Sequence, residues 1–122
     1  MHNLKELKIW QKAVDITKSI YTVTKKFPSE EKFGLVSQMR RAAVSISSNI
    51  AEGAGRNSTK EFLQFISIAN GSCYELFTQS YISYELEIIK KNDFDVVSDE
   101  IKQLQNMLFA FSEHLKSNYL KS

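Results

Sequence analysis

The chain has 122 residues, 43% of them hydrophobic and 25% charged, with a formal net charge of only +2. That length suits a single domain with one core, and the composition is ordinary for a soluble globular protein. No apolar run approaches the roughly 20 residues needed to span a bilayer. The polar opening MHNLKELKIWQK is not a secretory signal, and the lone Cys73 cannot close an internal disulfide, so a cytoplasmic setting is expected.

Charge is unevenly spread. Residues 1–60 carry 11 Lys and Arg against 5 acids, and residues 61–122 carry 5 against 9. A basic half can attract nucleic acid; equally, it can face the acidic half within the fold or in an oligomer. One proline and four glycines punctuate the chain, with no alternating strand pattern between turn signals, which favours long helices.

The first helix is predicted over about residues 4–27. Ile9, Ala13, Ile16, Ile20, Val23 and Phe27 recur at steps of four and three and share one face, widened by Trp10, Val14, Tyr21 and Thr24. Pro28 ends it, and Ser29 is placed to cap a second helix over about 30–54, with Glu30 and Glu31 in its first turn. In that helix Leu35, Met39, Ala42, Ile46, Ile50 and Gly53 form the inward stripe, while Gln38, Arg41, Ser45, Ser48, Glu52 and Arg56 gather on a polar arc. Val44 and Ala51 fall on neither, so the helix is apolar over more than one core face requires. The run RRAAVSISSNIAEGAGR has few long side chains, which lets a neighbouring backbone approach closely. Gly34 and Gly71 are expected to act similarly, and Asn49, at the stripe's edge, to bridge helices.

GAGRNS breaks the second helix, with Gly53 or Gly55 able to take a left-handed cap. Ser58-Thr59-Lys60-Glu61 then matches a capping box, opening a third helix over about 59–90. It carries two stripes: Phe62, Ile66, Ala69, Cys73 and Leu76, then Tyr74, Phe77, Tyr81, Tyr84 and Ile88. Cys73 reads as a small buried hydrophobe. KKNDFD makes a turn in which Asp93 or Asp95 can cap a fourth helix over about 95–118, whose face is Val97, Ile101, Leu104, Leu108, Phe111 and Leu115. Four such helices with short connections predict an all-α fold over residues 1–122, an up-down-up-down antiparallel four-helix bundle.

FGLVSQMRRAAVSISSNIAEGAGR, with KEFLQFISIANGSCYEL after it and LKIWQKAVDITKSIYTVTKKFP before it, resembles a known family over about residues 4–90. These are the four-helix-bundle proteins encoded in intervening sequences of bacterial 23S ribosomal RNA genes, the S23 ribosomal protein family. Two positions depart from its usual pattern. Ser47 stands where the family usually has proline, which predicts a straighter second helix, and Phe77 stands where it often has an acid. The resemblance implies a ring-like homopentamer, and kinship with the accessory variability proteins of diversity-generating retroelements, which bind a reverse transcriptase and nucleic acid. It implies no reaction.

The leading expectation is a non-catalytic homo-oligomer that binds RNA or a ribonucleoprotein partner through Arg40, Arg41, Arg56 and Lys60, supported by Lys25, Lys26 and Lys32. Against it stands an assembly role for the arginines: Arg56 follows Glu52 by four residues, the spacing of a surface ion pair, and Arg41 shares that arc. Arg40 points away from it. The surplus apolar residues Val44, Ala51, Tyr74, Phe77, Tyr81 and Tyr84 are the candidate oligomer interface, and Tyr81 with Tyr84 is the candidate anchor if the chain is instead a protein-binding scaffold.

No catalytic, metal or cofactor site is expected, nor a small-molecule substrate. Helical-bundle ribonucleases typically set an arginine four to six residues before a histidine, and nothing basic precedes His114 at that spacing. HExxH, P-loop and Ser/His arrangements are absent from the sequence. His114 lies near the fourth helix C-terminus, where a positive side chain suits the helix dipole, and no further role is expected of it.

Overall fold

The computed structural model describes residues 2–121, with side chains described through residue 118. Its helices are α1 (Lys8–Thr24), α2 (Leu35–Ala54), α3 (Thr59–Glu85) and α4 (Lys91–Lys121), with 3-10 turns at Leu4–Glu6 and Ser29–Glu31. Among the described residues there is no strand. The chain is an all-α, four-helix bundle.

Cross-helix pairs set the helix order. On α2 and α3, Gly53 meets Phe62 and Phe65, Ser45 bonds Ser72 at 2.9 Å, and Ser83 reaches Met39 at 3.7 Å. On α1 and α2, Thr17 Oγ1 donates to the Ala43 carbonyl at 3.2 Å, and Arg40 to Thr24. On α3 and α4, Phe62 packs edge-on to Phe111, Gln105 donates to Asn70 at 3.1 Å, and Tyr84 stacks on Phe94. Residue numbers rise on one helix as they fall on the other, so these partners run antiparallel. Each of the predicted inward stripes enters one core, in which Ile16, Ile20, Met39, Ile46, Ile50, Leu76, Ile101, Leu104 and Leu108 are almost wholly enclosed.

The small-sided stretch of α2 lies along α3, the most extensive seam of the bundle. Ala42, Ala43, Gly53 and Ala54 are buried there or against α1. Asn49 Nδ2 donates to the Ser45 carbonyl at 2.8 Å and to Ser45 Oγ at 3.0 Å, and Ser45 in turn meets Ser72. Asn49 thus contributes to the α2–α3 link through Ser45. Gly71 does not share the close-packing role expected of it, because a Cβ added there would meet no atom within 4 Å. α2 runs unbroken through Ser47, whose Oγ donates back to the Val44 carbonyl at 3.1 Å, as expected for serine in place of proline.

Several boundaries differ from the sequence reading, each for a local reason. α1 is separated from the Leu4–Glu6 turn by an extended Leu7 and ends at Thr24, although Phe27 remains buried. α2 begins at Leu35 rather than 30: Ser29 makes no capping bond, Gly34 N–H closes a turn onto the Glu31 carbonyl at 3.1 Å, and Gly34 occupies the N-cap. Neither Gly53 nor Gly55 takes the left-handed cap, since no described glycine has positive φ. α3 stops at Glu85, five residues early, through a Schellman-type closure with Glu87 at φ 59, Ile88 N–H on the Ser83 carbonyl (2.8 Å) and Glu87 N–H on Tyr84 (3.0 Å). α4 begins at Lys91, so Asp93 and Asp95 are inside it rather than capping it. They pair instead with Lys26 at 3.2 Å and Lys91 at 2.8 Å. The capping box holds by half: Glu61 N–H donates to Ser58 Oγ at 3.2 Å, while the Glu61 carboxylate turns to Arg56 at 3.7 Å.

Cys73 is wholly buried on α3, and loss of hydration pushes its thiol from an ordinary 9.0 up to about 12. The folded chain therefore holds the proton where the unfolded chain releases it. The stability this contributes is present below pH 9.0 and is lost as pH rises from there towards about 12. A thiol reagent at pH 8 is expected to label Cys73 only as fast as the protein opens, and fully in denaturant. Rapid labelling of the native protein at pH 8 would show that this part of α3 is not closed.

Candidate nucleic-acid interface

The C-terminal half of α1, the 32–34 turn and the N-terminal half of α2 enclose an open groove of about 600 Å³, lined by Tyr21, Lys32, Phe33, Val36, Ser37, Arg40, Arg41, Val44 and Ser45. The α2 residues recur at steps of one and three, so they present one helix face to it. Three cations line the groove and no carboxylate does.

The adjacent arginines have different jobs. Arg40 is half-buried, its guanidinium carbon 4.3 Å from the Tyr21 ring centroid and its Nε donating to Thr24 Oγ1 at 3.0 Å. Thr24, itself buried, passes its hydroxyl hydrogen to the Ile20 carbonyl at 2.6 Å. Arg40 is thereby fastened across α1 and α2, and it covers one face of Tyr21. Arg41 is exposed and makes no ion pair or side-chain hydrogen bond among the described residues. Lys32 Nζ stands 5.5 Å from the Phe33 ring centroid.

Arg56 and Lys60 lie elsewhere. Arg56 donates to Glu52 at 2.7 Å, approaches Glu61 at 3.7 Å, and stands over the Phe65 ring at 5.1 Å. The i, i+4 pairing with Glu52 is the one that its spacing suggests. Lys60 is exposed in the first turn of α3. Fifteen residues separate Arg41 from Arg56, on the order of 20 Å along a helix, so the four cations form two sites rather than one patch. Of the supporting lysines, Lys32 joins the groove, Lys26 is paired with Asp93, and Lys25 is exposed.

The six surplus apolar residues also separate. Val44 belongs to the basic groove. Tyr74 and Phe77 line a second groove of about 480 Å³ between α3 and α4, with Asp95, Ser98, Asp99, Ile101, Lys102 and Gln105. Tyr81 is exposed beside Phe77, their rings 6.3 Å apart. Tyr84 is only half-exposed and stacks on Phe94 at 4.7 Å within its own chain, and Ala51 is half-buried.

Phe33, like the buried Val36, is a groove residue that the predicted stripes leave out. It falls outside every apolar stripe, in a stretch that reads as the first turns of helix two. The available signal is an aromatic residue between Lys32 and Gly34 with no stripe to join.

No described helix is long and apolar enough to cross a membrane, and the described residues contain no cluster of metal-binding side chains. No curated protein matches the chain. Among solved structures, it is similar to a protein of unknown function from the S23 ribosomal protein family of Bacteroides thetaiotaomicron VPI-5482, with a TM-score of 0.79 and 20% identity over 85% of this chain and 97% of that one. At that identity the likeness speaks for the fold. A family model described as 23S rRNA-intervening sequence protein matches residues 5–110. The motif-bearing helices and most of α4 lie inside that match, and the chain belongs to the 23S rRNA-intervening sequence protein family.

Proposed function

We propose that this protein is a non-catalytic, cytoplasmic homo-oligomer that binds RNA through the groove between α1 and α2. The observation that carries this reading is the groove lining: Lys32, Arg40 and Arg41 with no carboxylate among them, in a chain whose net charge is near zero. Such a surface attracts phosphate before it reads any base. Arg41 is the primary phosphate ligand, since Arg40 is already engaged with Tyr21 and Thr24. The lone buried thiol suits a reducing compartment.

Self-association rests on the family resemblance, which implies a pentamer, and is supported by the exposed apolar side chains of α3, with Tyr74 62% accessible. Copies in a ring would add avidity to a weak groove without new contacts. Native mass measurement reads the subunit number directly, and Tyr74→Glu with Phe77→Glu is expected to yield monomers. The alternative of a protein-binding scaffold anchored by Tyr81 and Tyr84 is less favoured, because Phe94 already occupies a face of Tyr84.

The test is binding of the purified protein to a mixed cellular RNA pool. With Arg41 and Lys32 each neutralising one phosphate at a slope of about −0.7, raising salt from about 50 to about 200 mM should weaken binding roughly 7-fold. Arg41→Glu should weaken it further at low salt with the fold intact, since the side chain is exposed. Binding that ignores both salt and Arg41 would refute the reading.

A further inference from the structure

We infer that the basic groove takes unpaired nucleotides, with a base lying on Phe33 and the flanking phosphates on Arg41 and Lys32. This rests on the RNA-binding reading above and adds what kind of strand is recognised.

Phe33, at 89% accessible, is the most exposed large apolar side chain described, more so than Phe109 or Tyr74. A phenyl ring left in water forgoes the roughly 1.5–3 kcal/mol its burial would return. Gly34, at the N-cap of α2, and the Glu31–Gly34 turn hold the residue outside the helix and away from the core stripe. Its surroundings are what distinguish it from the other exposed apolar residues. Phe109 lies in a groove with Glu113 and Lys116, and Tyr74 in one with Asp95 and Asp99. Phe33 alone among the three stands in a groove lined only by cations, Ser37, Ser45 and apolar side chains.

A flat apolar platform within a cluster of positive charges matches a ligand that carries a π-face and an anion on adjacent atoms. Nucleotides have that composition. Tyr21 is not the platform, because Arg40 lies over its ring at 4.3 Å and is tied down by Thr24, whereas Lys32, 5.5 Å from the Phe33 ring centroid, has no side-chain hydrogen bond among the described residues and can swing to a phosphate. This fixed Arg40–Tyr21 stack instead forms a rigid wall. The groove, at about 600 Å³, is within the roughly 300–1,000 Å³ of ordinary ligand sites. It is open at the surface, so a chain can pass through it.

Strand state follows from geometry. In a duplex each base face is covered by its neighbours, and only edges and backbone are presented. A phenyl ring can meet a base face only where the strand is unpaired, and such stacking tolerates any base.

The experiment is fluorescence anisotropy of the full chain with a labelled 12-nucleotide oligo(U), a 12-base-pair RNA duplex and oligo(dT) of the same length. The inference expects oligo(U) to bind at least about tenfold more tightly than the duplex. Phe33→Ala should weaken oligo(U) binding roughly 5- to 150-fold, leaving the salt slope and the duplex affinity unchanged. Arg41→Ala should lower both affinities and the salt slope by about one phosphate. Both side chains are exposed, so unchanged thermal melting confirms intact folds. Oligo(dT) binding as tightly as oligo(U), and losing as much with Phe33→Ala, supports base stacking with the sugar unread. If Arg41→Ala matters and Phe33→Ala does not, or if duplex competes as well as single strand, the inference is overturned and the RNA reading survives. If neither substitution changes binding, the groove is not the site and both fail.

Discussion

Ile46→Ala is expected to lower the unfolding free energy by about 3–5 kcal/mol, the upper part of the range for large-to-small changes in a core. Ile46 is fully buried midway along α2, in the core shared by all four helices. Its sequence neighbours are the reason for the high figure. One turn away, Ala42, Ala43 and Asn49 have no long apolar side chain to swing into the space, and Ile50 is itself fully enclosed. Asn49–Ser45–Ser72 and Thr17–Ala43 tie the surrounding backbone to its partner helices, so the walls relax little. A domain of this size is commonly stable by only about 5–15 kcal/mol, and such a loss would leave it partly unfolded in modest urea. Urea denaturation followed by circular dichroism measures it, with exposed Val44→Ala as a control expected within about 0.5 kcal/mol of wild type. A loss below about 1 kcal/mol for Ile46→Ala would mean that α1 and α3 collapse onto α2 and that this seam is not rigid.

Gly53→Ala is expected to destabilise the protein by about 1–3 kcal/mol, although alanine is the better helix former by about 1 kcal/mol. A Cβ on residue 53 would stand 2.7 Å from Phe62 Cδ1 and 2.8 Å from Phe65 Cβ. The first atom belongs to a ring that is itself confined, edge-on to Phe111 at 5.4 Å and to His2 at 5.0 Å. The second is attached to the α3 backbone and can retreat only if the helix does. Gly71→Ala is the matched control, also within a helix but with nothing inside 4 Å, and it should stabilise by about 0.5–1 kcal/mol. Thermal melts separate the two, each kcal/mol being worth roughly 3–6 °C at this chain length. Stabilisation by both substitutions would show that helix propensity outweighs the α2–α3 approach and that Gly53 is not a spacing residue.

The candidate site was readable from sequence only in pieces. Arg56 was recognisable as the partner of Glu52 because i, i+4 spacing is a property of the helix itself, and the 2.7 Å pair bears that out. The adjacency of Arg40 and Arg41 drew attention, but adjacency did not reveal that one would be spent on Tyr21 and Thr24 while the other stayed in solvent. That division depends on how α1 lies against α2. Lys32 and Phe33 could be placed on the groove only after α2 was seen to start at Leu35, since a helix from 30 would have put them elsewhere on the surface. Likewise, Tyr81 and Tyr84 share a stripe by period, yet Phe94 from the next helix stacks on Tyr84 and leaves Tyr81 the more exposed of the two.

By itself, the sequence determined the four helices, the faces they bury, the small-sided α2 stretch and the family. These follow from periodicity, capping chemistry and side-chain size, which act within a few residues and need no knowledge of the partner. The tertiary structure alone decided where helices stop when no glycine marks the end, as at Glu87, and which glycine is crowded, Gly53 rather than Gly71. It also decided that the cations divide between a groove and a salt-bridged corner. Those outcomes are set by distances between residues far apart in the chain, and a helical period fixes which face a side chain occupies but not what stands opposite it.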